Sequence, residues 1–500
     1  MFATFMEVLD TTVVNVSLPH IAGSLSASID EATWALTSYL VANAIILPMT
    51  GWLATVIGRK RLLIWSVTGF TVASFLCGAA PNLALLIVFR VIQGATGGAL
   101  QPLSQAVLLE AFPPQDRGKA MAFWALGIVV APILGPVLGG WLTDTYSWRW
   151  VFYINLPIGI TSIVMTRMFI FDPPYLRRES RGVDYWGIGM LVVGIGALQI
   201  VLDKGQEDDW FASRFILALS IISAGALVAL IVHLLRTRDP VVDLRVFKER
   251  SYAVGVFMMT VVGFVLYGSM VLLPILLQTL LGYPSMEAGI AMAPRGIGAF
   301  CMMPIVGILT GRFDPRKLLA IGLTVGGFTL IWLGQLNLQA GYWYIFWPQL
   351  TQGMGMSLLF VPLTTTTMAT IAPERMGNAT SLFNLMRNIG GSIGIATTGT
   401  MLARHRQSVT SVLGAHITPY DVTTQSMLSQ LTAAFMAAGA DATTAASRAY
   451  AALFGMVERQ AAMISFVTIF RLLGVLFLAV IPLLLIMKRP PSGQAPAAAH

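Results

Sequence analysis

Stretches of about twenty apolar residues recur along this chain with only short polar breaks between them, and a helix of that length crosses the roughly 30 Å of hydrocarbon in a bilayer. They fall at 1–22, 34–57, 62–80, 83–110, 118–142, 148–170, 184–203, 213–236, 252–281, 287–311, 318–337, 343–371, 377–402 and 461–487. Barrel strands would instead alternate with period two over about ten residues, so the stretches are read as helices. Composition agrees: 56% of the residues are hydrophobic and 11% charged, with a mean hydropathy of +0.75. A water-soluble fold carries roughly a quarter charged residues, so lipid must be the solvent. The expected fold class is an all-α integral membrane protein of about fourteen spans.

The net charge of +8 is better explained by topology than by nucleic acid, which we do not expect as a partner. With the N-terminus cytoplasmic, 20 of the 31 lysines and arginines fall in inside loops, 7 in outside loops and 4 within spans. That is the lysine and arginine bias expected of cytoplasmic loops, and both termini are placed there. Segment 1–22 contains Glu7 and Asp10 but no basic leader or cleavage site, so it reads as a true span rather than a signal peptide. Its abrupt start leads us to expect a short cytoplasmic leader before it. Cys77 and Cys301 both lie in apolar runs and read as packing residues.

An internal repeat is visible. Gly51–Arg61 aligns with Gly307–Lys317 at an offset of 256, Gln93-Gly94 with Gln352-Gly353 and Asp116-Arg117 with Glu374-Arg375 at 258 to 259. The chain therefore reads as a six-helix bundle (1–170), two inserted helices (184–236) and a second six-helix bundle (252–487). Duplicated halves about an axis along the membrane normal are the plan of a large class of secondary transporters. Segment 403–460, the longest outside loop, has helical periodicity over Met427–Phe435 and Ala445–Phe454 and suggests an external helical hairpin. The tail 490–500 is low-complexity and expected to be disordered.

No Gly-x-x-x-x-Gly-Lys-Ser/Thr loop and no metal-spaced His or Cys set occurs, so no cofactor is expected and an ion gradient is the expected energy source. Such a source needs an ionisable group in the membrane. Glu7 and Asp10 share a helix face, and Asp10 lies about 15 Å along the helix, near mid-membrane. An ionised carboxylate there is costly and suited to exchanging a proton, provided water can reach it; otherwise it only bonds a neighbouring helix. In span four, Arg90, Gln93, Gly94, Gly97, Gln101 and Gln105 fall on one stripe. That stripe must face the interior or a cavity, with Arg90 a candidate partner for a span-one carboxylate. Span thirteen repeats the pattern with Asn384, Arg387, Asn388 and Gly391, and Arg295 is a further intramembrane charge. In span five, Gly135 and Gly139 make a close-packing face, Pro132 and Pro136 soften the helix, and Gly140 follows. Between spans two and three, Gly51, Gly58, Arg59, Lys60 and Arg61 form a glycine-led basic loop. Its cations can pair with Asp116, next to Arg117, or with helix C-termini, latching one state.

These motifs resemble the major facilitator superfamily, and specifically its fourteen-span drug:proton antiporter branch (the EmrB/QacA type). The Gly51–Arg61 run resembles the superfamily's signature loop, departing from it at Thr55 and Val56, where an acid and an arginine are usual. Arg90–Gly94 resembles the branch's span-four motif, Gly135–Gly140 its span-five antiporter motif, and Leu9–Pro19 its span-one motif. Trp148–Gly159 is the most recognisable stretch.

The resemblance implies a non-enzymatic exporter working by alternating access. It would exchange protons for small hydrophobic or cationic compounds across a bacterial cytoplasmic membrane. By analogy, Asp10 binds protons, Arg90 tunes it, and Asn15 and Asn155 within the span-one and 148–159 motifs join the cavity residues. Some relatives of this type work with a periplasmic adaptor and an outer-membrane channel, for which 403–460 is the candidate contact. Export of a single metabolite, such as a siderophore, amino acid or lipid precursor, and a non-transporting receptor or scaffold remain as other readings.

Overall fold

The computed structural model describes residues 1–113, 116–171, 183–237, 239–418 and 420–487. The tail 490–500 and the basic residues Arg177, Arg178 and Arg181 lie outside the described residues. All regular structure among those described is helical. The N-terminal half consists of α1 (Phe2–Ser24), α2 (Ile29–Ile57), α3 (Arg59–Gly78), α4 (Leu83–Gly97), α5 (Leu100–Ala111), α6 (Arg117–Thr145), α7 (Trp150–Tyr153) and α8 (Asn155–Phe169). Two inserted helices follow, α9 (Tyr185–Lys204) and α10 (Arg214–Arg236). The C-terminal half has α11 (Arg250–Ile275), α12 (Ser285–Arg312), α13 (Pro315–Leu333), α14 (Tyr342–Met368), α15 (Met376–Ala415), α16 (Val422–Ala437) and α17 (Ala442–Ala479).

Each apolar stretch of the sequence is thus helical, with α4–α5 and α7–α8 each forming one stretch broken in the middle. Among the described residues ten helices are long and apolar enough to cross a membrane, or up to twelve if each of two bent pairs is one span. One of those pairs, α14 with 373–415, turns by 120° and so is two helices rather than a single kinked one. Local signals set the ends. Ser28 and Glu31 form a capping box at the start of α2, and Gly58, at φ 91°, supplies the left-handed turn between α2 and α3. Pro315 starts α13 behind an Asp314 cap. α10 is strongly apolar and little of it is covered by protein, as expected for a helix facing lipid.

The duplication shows in the packing. α2 and α12 begin 256 residues apart (29 and 285), and α4 and α14 begin 259 apart (83 and 342). α1 packs on α6, α2 on α4 and α3 on α8 in the first half; α11 packs on α15, α12 on α14 and α13 on α17 in the second. The two halves meet where α2 crosses α15 and α6 crosses α12. Both crossings are made by glycine. A Cβ on Gly51 would stand 2.7 Å from Asn378 Cα, beside Gly377, and one on Gly118 would stand 2.7 Å from Gly307 O. Gly51 and Gly307 are repeat-related, as are Gly118 and Gly377, so one contact is used twice.

The inserted helix α9 lies along the α2–α15 crossing and bonds to both sides. On α2, Thr37 Oγ1 donates to Asp203 and Thr33 Oγ1 accepts from Lys204 Nζ at 2.5 Å. On α15, Gln199 Nε2 donates to Ser392 Oγ at 3.0 Å, and in the turn after α9 Trp210 Nε1 donates to Thr400 Oγ1 at 2.9 Å. The external hairpin is present but is built largely by extending the spans. α15 runs for 40 residues and α17 for 38, about twice what hydrocarbon needs, with α16 packed on α17. Arg406 Nη2 and Glu458 Oε1 pair at 3.3 Å between the extended parts.

If the paired glycines hold the halves together, Gly51→Leu or Gly118→Leu will open that end of the molecule. In a chain with Cys77 and Cys301 replaced by serine, a cysteine at the fully buried Thr380 position should label with a small thiol reagent at least about tenfold faster once either leucine is present, a change of about 1.4 kcal/mol in opening. Gly23→Leu, where nothing lies within 4 Å, should leave the rate unchanged. Equal labelling in all variants would refute the role of the glycine contacts.

Candidate functional site

Asp10 turns away from lipid into the N-terminal half, where 0% of it is exposed. Three side chains from two other helices donate to it. Arg90 Nη1 lies 2.6 Å from Oδ2, and Gln93 Nε2 and Asn155 Nδ2 lie 2.9 and 2.8 Å from Oδ1. Charge-assisted hydrogen bonds of this kind fix the geometry of the carboxylate. The expected Asp10–Arg90 pair is therefore formed, deep in the bundle.

Each donor is itself held. Arg90 Nε donates to Ala35 O at 2.9 Å and Nη1 to Gln93 Oε1 at 2.8 Å. The guanidinium lies 4.1 Å from the centre of the Tyr39 ring, a cation–π contact. Asn155 opens α8 just after the break from α7 and also donates to Ser74 Oγ at 3.0 Å. Tyr39, Ser74 and Ala35 carry no charge, so nothing in the bare sequence set them apart from ordinary helix residues. Cys77, read as packing, also donates to Gln93 Oε1 at 3.5 Å. Arg90, Gln93 and Asn155 are all 0% exposed. The carboxylate is closed off in this conformation, so the water access that proton exchange requires is not present here.

Glu7, one turn earlier on α1, is 4% exposed and has a different environment. Asn43 Nδ2 donates to its Oε1 at 2.9 Å, while Oε2 has no hydrogen-bond partner. Gln101 and the Arg387 guanidinium lie close enough to act on its charge. Glu7 thus stands between the Asp10 cluster and a second polar cluster at the seam between halves. There Arg387 Nη2 donates to Gln101 Oε1, and to Asn388 Oδ1 at 3.3 Å. Asn384 Nδ2 donates to Gln105 Oε1 at 2.5 Å. The polar stripe on α4–α5 is therefore divided. Arg90 and Gln93 serve the carboxylate, and Gln101 and Gln105 reach across to α15, with the helix break at 98–99 between them.

Other expected residues are placed separately. Asn15 is exposed and outside both clusters. Arg295 is buried on α12, away from the other candidates. Gly135 and Gly139 press on Thr12 and Val13 of α1, so the span-five motif sets how closely α6 approaches the helix carrying Asp10. Nothing lies within 4 Å of a Cβ on Gly140, and the side chain of Pro136 lies outside the described residues.

The basic loop is latched differently from expectation. Arg59 pairs with Glu110 at the end of α5, and Asp116 is taken by Lys119 of its own helix at 2.8 Å. Arg59 is 3% exposed and cannot reach beyond α5, which explains the change of partner. Lys60 Nζ does donate to a helix C-terminus, at Arg167 O, 3.0 Å away. Arg61 is exposed, and Arg117 Nε donates to Phe112 O at 3.4 Å.

Comparison with known proteins gives the same picture. Over 431 residues, 86% of this chain and 84% of theirs, it is 41% identical to the multidrug export protein EmrB of Escherichia coli K12, and 42% to the EmrB of Haemophilus influenzae. It is 39% identical over 493 residues, 98% of this chain and 94% of the other, to the fatty acid resistance protein FarB of Neisseria gonorrhoeae. Among solved structures, the human organic anion transporter MFSD10 superposes with a TM-score of 0.57 at 13% identity, covering 95% of this chain and 97% of that one. That likeness establishes the fold. The profile of the Major Facilitator Superfamily matches residues 1–395, most of the chain. This multi-pass membrane protein belongs to the major facilitator superfamily, in its EmrB-type branch.

Proposed function

We propose that the chain is a proton-coupled exporter of multiple small hydrophobic or cationic compounds. It works by alternating access in a bacterial cytoplasmic membrane, with both termini inside and no bound cofactor. The observation that carries this reading is the Asp10–Arg90 ion pair in the middle of the bundle, with water and protons reaching it in the opposite conformation of the cycle. A fold that needed only stability would do as well with apolar packing there, because a buried ion pair gains little over well-packed hydrophobic residues. The names of the EmrB relatives supply the substrate breadth, and the FarB relative favours, as a second reading, a narrower amphipathic substrate.

The coupling follows from the geometry. A proton on Asp10 Oδ2 displaces Arg90, whereas Glu7 Oε2, which has no hydrogen-bond partner, can take one without displacing anything. Releasing Arg90 frees α4, which leads through the break at 98–99 into α5, whose Gln101 and Gln105 hold α15. Protonation at Asp10 thereby loosens the seam between halves and admits the opposite opening. Some compounds would bind at that seam, near Glu7 and Arg387. The extended ends of α15 and α17, with α16, are the surface we assign to a periplasmic adaptor leading to an outer-membrane channel.

In proteoliposomes, Asp10→Asn should reduce substrate-dependent proton release at least about tenfold, the rate lost with about 1.4 kcal/mol of barrier. Undiminished proton release would remove Asp10 from the mechanism. Arg90→Gln alone leaves a buried unpaired carboxylate and should lower stability by about 3–5 kcal/mol. Combining it with Asp10→Asn should restore much of that loss. Denaturant titration in detergent tests this, and additive effects of the two changes would mean that they do not form an interacting pair.

A further inference from the structure

The repeat lets the two halves be compared residue by residue, and the comparison isolates Arg295. A Cβ on Gly94 would lie 2.3 Å from Tyr39 O, and one on Gly353 would lie 1.9 Å from Arg295 O. One turn on, a Cβ on Gly98 would lie 2.6 Å from Asn43 O, and Ser357 Oγ donates to Ala299 O at 3.3 Å. α12 and α14 therefore cross in the same register as α2 and α4. On this register Arg295 takes the place of Tyr39, Gln349 that of Arg90, and Gln352 that of Gln93. The arginine has moved from one helix of the pair to the other, and the glutamine beside it is kept.

What the second half lacks is the acid. α11, in the place of α1, contains no Asp or Glu; neither does any residue from 315 to 373 or from 376 to 420. Arg295 is nevertheless 5% exposed, with Nη2 buried and without a hydrogen-bond partner. Among the described residues it has neither an ion pair nor a side-chain hydrogen bond, whereas Arg90 has Asp10, Arg59 has Glu110, and Arg387, though it has no ion pair, donates to Gln101 and Asn388. Gln349 and Gln352 bond each other at 3.4 Å, leaving Gln349 Oε1 and Gln352 Nε2 buried and unpartnered. A lone guanidinium inside a membrane protein is costly, and its fork of donors matches a carboxylate.

We propose that Arg295, assisted by Gln352, is an anion site that receives the carboxylate, or a similar monoanionic head, of an amphipathic substrate. The bound anion supplies the charge that Asp10 supplies in the other half. Calling the occupant a substrate rests on the second export reading above, that of an amphipathic substrate; an anionic lipid has the same chemistry. The test is an equilibrium binding measurement, so it can fail while proton coupling at Asp10 holds, and the reverse.

The full-length protein is placed in phosphatidylcholine nanodiscs, and its thermal unfolding and ligand affinity are followed with dodecanoate and with dodecyltrimethylammonium, for wild type, Arg295→Lys and Arg295→Met. Dodecanoate should stabilise the wild type, more weakly Arg295→Lys, and Arg295→Met not at all, with affinity for it falling at least about tenfold. Without ligand, Arg295→Met should unfold no earlier than wild type, since a lone buried charge has been removed. Dodecyltrimethylammonium should act on all three alike. If Arg295→Met binds dodecanoate as tightly as wild type, or unfolds earlier without it, the anion site is overturned. If the difference between wild type and Arg295→Met appears only when phosphatidylglycerol is added to the disc, the anion site stands and its assignment to substrate is overturned.

Discussion

Charge in a medium that cannot solvate it governs this structure. A carboxylate at mid-membrane forces its surroundings: Arg90 to neutralise it, Gln93 and Asn155 to fill its remaining lone pairs, Tyr39 to face the arginine, and Ser74 to position the asparagine. Those groups come from α1, α2, α3, α4 and α8, so one acid ties together most of the N-terminal half. Truncating any one of them leaves a partner buried and unpaired, which costs more than the bond itself gained. The long helix α6 is outside this network; it approaches α1 through Gly135 and Gly139 and through two hydrogen bonds of its own, Ser17 Oγ with Thr143 Oγ1 at 2.8 Å and Trp124 Nε1 to Thr4 Oγ1 at 3.3 Å.

How much of this could be read from the sequence follows the same physics. The helical stretches were legible because lipid demands apolar side chains over a whole span. The duplication was legible because it left ordered matches at one offset. Asp10 and Arg90 were legible as a pair because isolated charges in hydrocarbon need each other. Tyr39, Ser74 and Asn43 were not, since a neutral side chain tolerates many surroundings and announces none. The partner of Arg59 was not legible either. Glu110 and Asp116 are both near the same turn, and only the end of α5 in three dimensions decides between them. The hairpin in 403–460 was visible as periodicity, but its continuity with α15 and α17 was not, because a soluble helix extension carries no signal at the membrane boundary.

Duplication also explains why the two halves could diverge without losing their frame. The backbone contacts that set the crossing of α2 on α4, and of α12 on α14, are made by glycine or by serine against carbonyl oxygens. They do not depend on which side chains stand beside them. The positions of Tyr39, Arg90 and Gln93 could therefore change identity in the second half while the helices kept their register. The first half fixes its charge internally, and the second keeps a cation and omits the anion.

The α4–α5 stretch is where these features converge. Its first half carries Arg90 and Gln93, its second half carries Gln101 and Gln105, and between them the helix breaks at 98–99. Gly97 fits against the Tyr39 hydroxyl and the Phe70 ring, and Gly98 against the carbonyl of Asn43, the residue that donates to Glu7. A continuous rigid helix would transmit any displacement of Arg90 directly to the seam. A broken one transmits it through a joint whose neighbours are Tyr39 and Asn43, each in contact with one of the two acidic sites. In the proposed cycle the state of Asp10 and Glu7 is therefore felt at the joint as well as at the pair, so the seam answers to both carboxyl groups together.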